Sequence, residues 1–487
     1  MSLLSTREFE KDKNANFSEW YNSIIYAADL ADIRYNVQGF IVHRPWSMRI
    51  FKKIYSLFEN ELEKDGHEPI LFPTVIPEEN FEIEKEHAEG FRLEVYWITQ
   101  RGNEKMQRRL ALRPTSETAF YQMYNLWVKS HSDLPLKLYQ SCTVFRNESE
   151  TNPFLRGREF LWIETHDVFA EEFQAREQVE KDRRMFETVV REKLAIPFLF
   201  FKRPEWDRFP GAVETYATDT LLPDGKALQF GTSHLLGQNF SKAFNVKFTD
   251  ENGKEHYPFT TCCGPGIWRV LAALISVHGD NKGLIFPYEV APLQVVIVPI
   301  AKGDDEKKIH EYCKKVEKML KEANIRCTLD LSAKTPGYKY NYWELKGVPL
   351  RIEIGKREQE NEKITLARRD TREKITVSNG GAVEEIVKLG KEINKSLLHK
   401  ATAELEAKIK PAETKEQVAE LLGSKCYARV AFCSIEKDGK QCADELQAYT
   451  KGGKVRGVLF GSTEHAKGKC LMCGKTANHM VYVAKQY

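Results

Sequence analysis

Apolar side chains at Trp46, Ile50, Ile54, Leu57, Phe58 and Leu62 keep helical spacing over residues 45–64, and Asp65-Gly66 follows as a stop signal. The run EPILFPTVIP behind it predicts a short strand broken by Pro73 and Pro77, because proline donates nothing to a ladder. An amphipathic helix running into an edge strand makes a packing surface, and plain core is the simpler reading of it. Period-two alternation then dominates to about residue 260, in RRLALRP, LKLYQSCTVFRNE, REFLWIETHDVF and VETYATDTLLPDGKALQFGTS. One long helical stretch, 171–194, interrupts these strands. Consecutive strands with turns such as Pro223-Asp224-Gly225 predict a largely antiparallel sheet.

At Val290-Ala291-Pro292 the pattern changes. LQVVIVPI is an apolar strand, and Ile309, Tyr312, Val316, Met319, Leu320 and Ala323 share one face of a helix. CTLDL, VPLRIEIG, ITLARRD and ITVS follow as strands, with a closing helix near 383–398. That alternation predicts a compact α/β domain. A charged helical connector, KATAELEAKIKPAETKEQ, leads to a cysteine-bearing tail. The expected units are residues 1–288, 289–398 and 399–487.

A chain of 487 residues exceeds what one hydrophobic core serves, so several domains are expected. At 42% hydrophobic and 29% charged it reads as folded, not disordered or fibrous. No stretch resembles a signal peptide or approaches the roughly 18 apolar residues of a membrane span, which predicts a cytoplasmic protein. Ten cysteines in a reducing compartment suggest metal or chemistry before disulfides. The net charge of +3 gives no whole-molecule argument for nucleic acid, so such binding must come from local patches. Neither a Walker loop nor a G-x-G-x-x-G follows any strand, which excludes those two ways of holding a nucleotide.

Candidate chemistry concentrates in TVFRNESETNPFLRGREFLWIETHD, which sets Arg146, Glu148, Arg156 and Arg158 among Phe145, Phe154, Phe160 and Trp162. Surface segments are seldom so aromatic and core segments seldom so charged; a site that grips a charged ligand is both. On strands of period two, Arg146 and Glu148 share one face, and Trp162, Glu164 and His166 share another. Guanidinium groups bind phosphate bidentately and stay charged, although a surface ion-pair ladder reads the same way. In LRPTSETAFY, Thr115 and Glu117 can cradle an ammonium, or Thr-Ser-Glu simply begins a helix. QFGTSHLLGQNFSK places Thr232 and His234 on one strand face beyond Gln229, and CCGPGIWRVLAALISVHGDNKGL is a Gly-Pro-Gly turn into an apolar helix opened by Arg269.

In this order the four segments resemble the three signature motifs of class II aminoacyl-tRNA synthetases. LRPTSE, FRNE, PFLRGREFLW, GTSHLLGQNFSK and HGDNKGL look like the prolyl-tRNA synthetase family of archaeal and eukaryotic type, and the likeness runs through PGYKYNYWELKGVPLRIEIG to Tyr487. The resemblance implies an α+β catalytic domain around an antiparallel sheet of six or seven strands, an α/β anticodon-binding domain and a small α+β zinc-binding tail. It implies ATP-dependent activation of proline to prolyl-adenylate and transfer to the 3′ end of tRNA(Pro), with magnesium on the phosphates and a homodimer built on residues 45–73. Arg146, Glu148 and Arg269 take catalytic roles in it. Arg146, Glu148, Arg156, Gln229, Thr232 and Arg269 are the ATP ligands, while Thr115, Glu117, Arg146, Trp162, His166, His234 and Cys262 hold proline. The chain departs from the family between Thr261 and Arg269, where Cys262-Cys263-Gly264-Pro265-Gly266-Ile267-Trp268 suggests a turn one residue longer and without a hydroxyl. A rival reading follows, an inactive synthetase-like protein that binds tRNA.

The middle domain mixes Lys339, Lys346, Arg351, Arg368 and Arg369 with Tyr340, Tyr342 and Trp343. Composition alone suits a solvated charged face; the resemblance makes Lys339, Trp343, Lys346, Arg351, Arg368 and Arg369 candidates for the tRNA anticodon. In the tail, Cys433 and Cys442 with the knuckle Cys470-Leu-Met-Cys473 match a four-thiolate zinc site, with Cys426 as a possible substitute. Cys313 and Cys327 sit in apolar patterns as inert core.

Overall fold

The computed structural model describes residues 9, 11–83, 95–301, 303–464 and 466–487. The predicted first helix forms as Pro45–Lys64, with proline at its first turn, and buries Trp46, Ile50, Phe51, Ile54, Phe58 and Leu62. EPILFPTVIP is not one strand. Glu68–Pro69 pairs in parallel with Leu136–Phe145, whereas Val75–Pro77 joins a separate three-stranded sheet with Tyr96–Arg101 and Glu104–Leu112. Pro73 between them has no N–H and restricts the residue before it, so the chain changes sheets there.

The main sheet carries, from its outer edge, Glu68–Pro69, Leu136–Phe145, Glu159–Phe169, Phe259–Pro265, Lys226–Gly237, Glu214–Leu221 and Leu199–Lys202. All neighbours but the outermost pair run antiparallel, as the strand-turn-strand pattern implies. Helices Glu172–Phe186 and Ile267–His278 pack on one face of it, and Pro45–Lys64 packs on both of them. Ile267–His278 is apolar almost all round, as a helix with no solvent face must be.

The middle domain is a five-stranded sheet ordered Cys327–Leu329, Val295–Pro299, Leu350–Ile354, Lys363–Arg368 and Lys374–Ser378. Its first two pairings are parallel and the rest antiparallel. The closing helix is longer than its apolar pattern suggests: Ala382–Ala407 runs unbroken through residue 398 into the tail. The tail is not a detached module either. Strands Lys454–Leu459, His479–Gln486, Tyr427–Phe432 and Ile409–Ala412 extend the catalytic sheet to eleven strands, joined through Val458↔Lys202 and Leu459↔Phe201. Among the described residues no helix is long and apolar enough to cross a membrane.

Candidate active site

Residues of the main sheet line two adjoining cavities. The first is lined by Arg146, Glu148, Arg156, Gln229, Thr232 and Arg269, all six expected ATP ligands. Arg146 and Glu148 lie just past the end of Leu136–Phe145, not on it, because the backbone turns when the Glu148 N–H donates to the Arg146 carbonyl at 2.8 Å. Arg146 Nε donates to the Pro114 carbonyl at 3.2 Å, and its guanidinium carbon sits 4.9 Å from the Trp162 ring centroid and 5.5 Å from that of Phe160. The guanidinium is therefore within cation–π distance of both rings.

Arg269 is fixed by donating Nε to the Leu155 carbonyl at 2.9 Å and Nη1 to the Gln229 carbonyl at 3.0 Å. Burial, then repulsion from Arg156 and Arg146, pulls its pKa down to about 10. It stays charged at neutral pH, so three guanidiniums converge where an anion would relieve them. Arg156 Nη1 is 3.7 Å from Glu148 Oε2. At the turn after Thr261 the strand ends at Pro265 and only Gly266 separates it from the helix beginning at Ile267. Gly264 is needed there: a Cβ would lie 2.7 Å from the Trp162 indole.

The second cavity, of about 330 Å³, is lined by all seven expected proline ligands, Thr115, Glu117, Arg146, Trp162, His166, His234 and Cys262. Arg146, Trp162, Gln229 and Thr232 line both cavities. The helix-start reading of LRPTSETAFY holds, since Glu117 begins the helix Glu117–Trp127; the same side chain is buried in the cavity wall, hydrogen-bonded by the Thr115 hydroxyl. Arg113 is structural, donating to the Thr143 carbonyl at 2.8 Å and the Phe72 carbonyl at 3.0 Å. His166 lies against Phe120, ring centroids 4.2 Å apart, with Nε2 3.6 Å from Glu164. His234 Nδ1 is 3.0 Å from Thr215 Oγ1. Burial, reinforced by Glu117, pushes the Cys262 thiol well up, so it lines the pocket as a thiol and not as a nucleophile.

Three family descriptions match: tRNA synthetase class II core domain (G, H, P, S and T) over residues 96–278, anticodon binding domain over 294–389, and prolyl-tRNA synthetase C-terminal over 415–487. The proline–tRNA ligase of Thermofilum pendens is 53% identical over 99% of this chain and 100% of its own, and that of Thermococcus kodakarensis 41% over 98% and 99%. The chain belongs to the proline–tRNA ligase family. The solved Giardia lamblia prolyl-tRNA synthetase in complex with prolyl-adenylate superposes at a TM-score of 0.95, with 34% identity over 98% of this chain and 100% of that one.

As a proline–tRNA ligase the chain carries its anticodon-binding domain at 294–389, but the six expected anticodon residues do not form one open basic face there. Lys339 is buried, donating to the Asp330 carbonyl at 2.8 Å, and Trp343 Nε1 donates to Asp330 Oδ2 at 2.8 Å. Lys346 donates to the Ala28 carbonyl at 2.6 Å, and Arg369 grips both Asp280 oxygens at 2.6 and 2.9 Å. Those two cations are joints to the catalytic domain. Arg351 stacks on Tyr340 at 3.9 Å and pairs with Glu344 and Glu353, while Arg368 pairs with Asp370 and Glu392. Cations beside aromatics and acids read alike in sequence whether they face RNA or fasten a fold.

The tail brings the sulfurs of Cys433, Cys442, Cys470 and Cys473 within 4.8 Å of one another. Cys433 and Cys442 Sγ are 3.8 Å apart. A tetrahedron with Zn–S bonds of about 2.3 Å has edges of about 3.8 Å, so the donors fit zinc. Cys426 is outside the cluster, its thiol 3.5 Å from the Ser424 carbonyl. Burial raises the thiols of Cys313 to about 12 and Cys327 to about 11, in keeping with inert core. Arg203, which also lines the second cavity, had no signal in the sequence, because its partner Arg456 lies 253 residues further along the chain.

Proposed function

We propose that the two cavities hold proline and ATP side by side for in-line attack of the proline carboxylate on the α-phosphorus. A carboxylate oxygen forms the new P–O bond, pyrophosphate leaves with the electron pair of the broken one, and the terminal ribose hydroxyl of tRNA(Pro) then displaces AMP at the carbonyl. The supporting observation is that the six nucleotide candidates and the seven proline candidates line adjoining cavities sharing Arg146. No protein nucleophile is needed, and catalysis rests on positioning and fixed cations.

Arg146 stabilises charge at the reacting phosphate, Arg156 takes the distal phosphates, and Arg269 packs on adenine. Glu148 bears on the α-phosphate and adenine end. Gln229 and Thr232 contact the nucleotide. Glu117 and Thr115 receive the charged imino group, while Trp162, His166, His234 and Cys262 wall the ring. Magnesium would supply charge neutralisation on the phosphates, and Glu148, which lines the first cavity, would hold it. Zinc bound by Cys433, Cys442, Cys470 and Cys473 is structural. The anticodon of tRNA(Pro) falls to the middle domain, where Trp343, Arg351 and Arg368 are half-buried and nearer solvent than the buried Lys339, Lys346 and Arg369.

A homodimer across the open Glu68–Pro69 edge fits its surroundings, where Leu71 is 74% exposed. Ten free cysteines accord with a reducing, cytoplasmic setting. Proline-dependent exchange of pyrophosphate into ATP tests the reading. A folded protein that shows none is the inactive tRNA-binding alternative.

A further inference from the structure

Arg203, Asp219 and Arg456 form a wholly buried chain that leads from the tail into the active site. Asp219, on the strand Glu214–Leu221, accepts from Arg456 Nε at 2.7 Å and Nη2 at 3.2 Å. Its Oδ1 also accepts from Arg203 Nη2 at 2.7 Å, and Arg203 Nη1 donates to the Arg456 carbonyl at 2.8 Å. The same Nη2 donates to the side-chain oxygen of Gln229 at 2.7 Å. Gln229 lines both substrate cavities.

Local backbone features place these groups. The strand Glu214–Leu221 shifts register between Thr218 and Asp219, and Lys454–Leu459 shifts between Val455 and Gly457. Gly457 has φ 123°, and a Cβ there would lie 2.1 Å from the Lys202 carbonyl oxygen. Only glycine lets the tail strand close onto the catalytic one beside Arg203. Burial opposes the Asp219 charge, and the Arg203 and Arg456 guanidiniums overcome it, holding its carboxyl below the usual range.

A buried triad of charges is a poor way to gain stability, because desolvation consumes most of the attraction. Such a triad does fix direction. With the Gln229 oxygen committed to Arg203, the amide cannot flip, and the NH₂ becomes the group available to the cleft. We infer that Arg203 is a positioning residue that turns Gln229 into an obligate donor toward the nucleotide, and that the tail sets Arg203 through Arg456 and Asp219. The inference rests on the nucleotide role given to Gln229 above.

Steady-state pyrophosphate exchange on the full chain tests it, with Gln229→Ala, Arg203→Leu and the double variant. Each single variant should raise the KM for ATP about tenfold and the KM for proline by distinctly less, although both residues also line the second cavity. The double should be no worse than Gln229→Ala, since residues acting as one unit are non-additive. Removing a cation from buried Asp219 endangers folding, so Arg203→Lys is measured as well; it keeps the charge, loses the planar fork, and should show the same selective rise. Arg456→Lys should shift the KM for ATP in the same direction. Additive losses, equal damage to both KM values, or a folded Arg203→Lys with unchanged KM for ATP would overturn the inference. If Gln229→Ala itself leaves the KM for ATP unchanged, the nucleotide role of Gln229 fails and takes the relay with it.

Discussion

Arg146 shows how one side chain answers several demands. Its guanidinium lies over Trp162 and Phe160, is tethered to the Pro114 carbonyl, and faces both cavities. Arg146→Ala should lower the exchange rate about 100- to 1000-fold, as losing one preorganised charge-stabilising group costs about 2.7 to 4 kcal/mol, without unfolding the chain. A near-normal rate in the variant contradicts the assignment. His278 sets a pH dependence away from the site. Burial pushes its pKa down to about 4, while the ring bonds the Leu194 carbonyl at 3.0 Å. The unfolded chain regains a value of about 6.5, so the contribution is full above that pH and is lost as pH falls toward 4. Between pH 6 and 5, His278→Gln should reduce the slope of unfolding free energy by up to about 1.4 kcal/mol per pH unit. Equal slopes in both proteins would show that His278 titrates normally in the fold.

Among elements, what was legible in the sequence was whatever local periodicity encodes. Pro45–Lys64 and Leu136–Phe145 fall where apolar spacing puts them, because one face of each is buried in its own domain. The proline-rich run after the helix misleads, since two short strands in different sheets share one apolar pattern. Arg146 and Glu148 look like strand residues because alternation continues past Phe145, where the ladder stops. The cysteine cluster was legible for another reason: thiolate spacing signals a metal without any knowledge of the surrounding fold. One zinc per chain is expected, and Cys473→Ser should release it and open the tail to proteolysis, because a structural site can contribute on the order of 10 kcal/mol to folding. Metal analysis of protein purified without chelator checks this, and finding no zinc contradicts it.

At the scale of the whole molecule, the joints between domains were illegible, since they pair residues 89 and 318 positions apart. Lys346 and Arg369 resemble RNA-binding cations by their neighbours, yet they fasten the middle domain to Ala28 and Asp280. Lys346→Ala should therefore lower thermal stability, leaving the Ala28 carbonyl without its buried donor, by about 1 to 3 kcal/mol. Unchanged melting with a raised KM for tRNA would return Lys346 to the anticodon. The chain between His166 and Cys262 is spent on the catalytic sheet, its helices and the short hairpin of Phe248–Thr249 with Glu255–His256, with no separate hydrolytic domain between them. Pockets reject smaller side chains weakly, each missing methylene forfeiting about 1 to 3 kcal/mol, so alanine and cysteine should both be activated detectably. Incubation with alanyl-tRNA(Pro) should give no deacylation above the spontaneous rate. The central claim, that proline and nucleotide meet across Arg146, is tested most directly by a crystal structure with a non-hydrolysable prolyl-adenylate analogue. The account predicts the pyrrolidine nitrogen within hydrogen-bonding distance of Glu117 and Thr115, the ring against Trp162 and His166, and the adenine against Arg269; a pyrrolidine ring outside that cavity would contradict it.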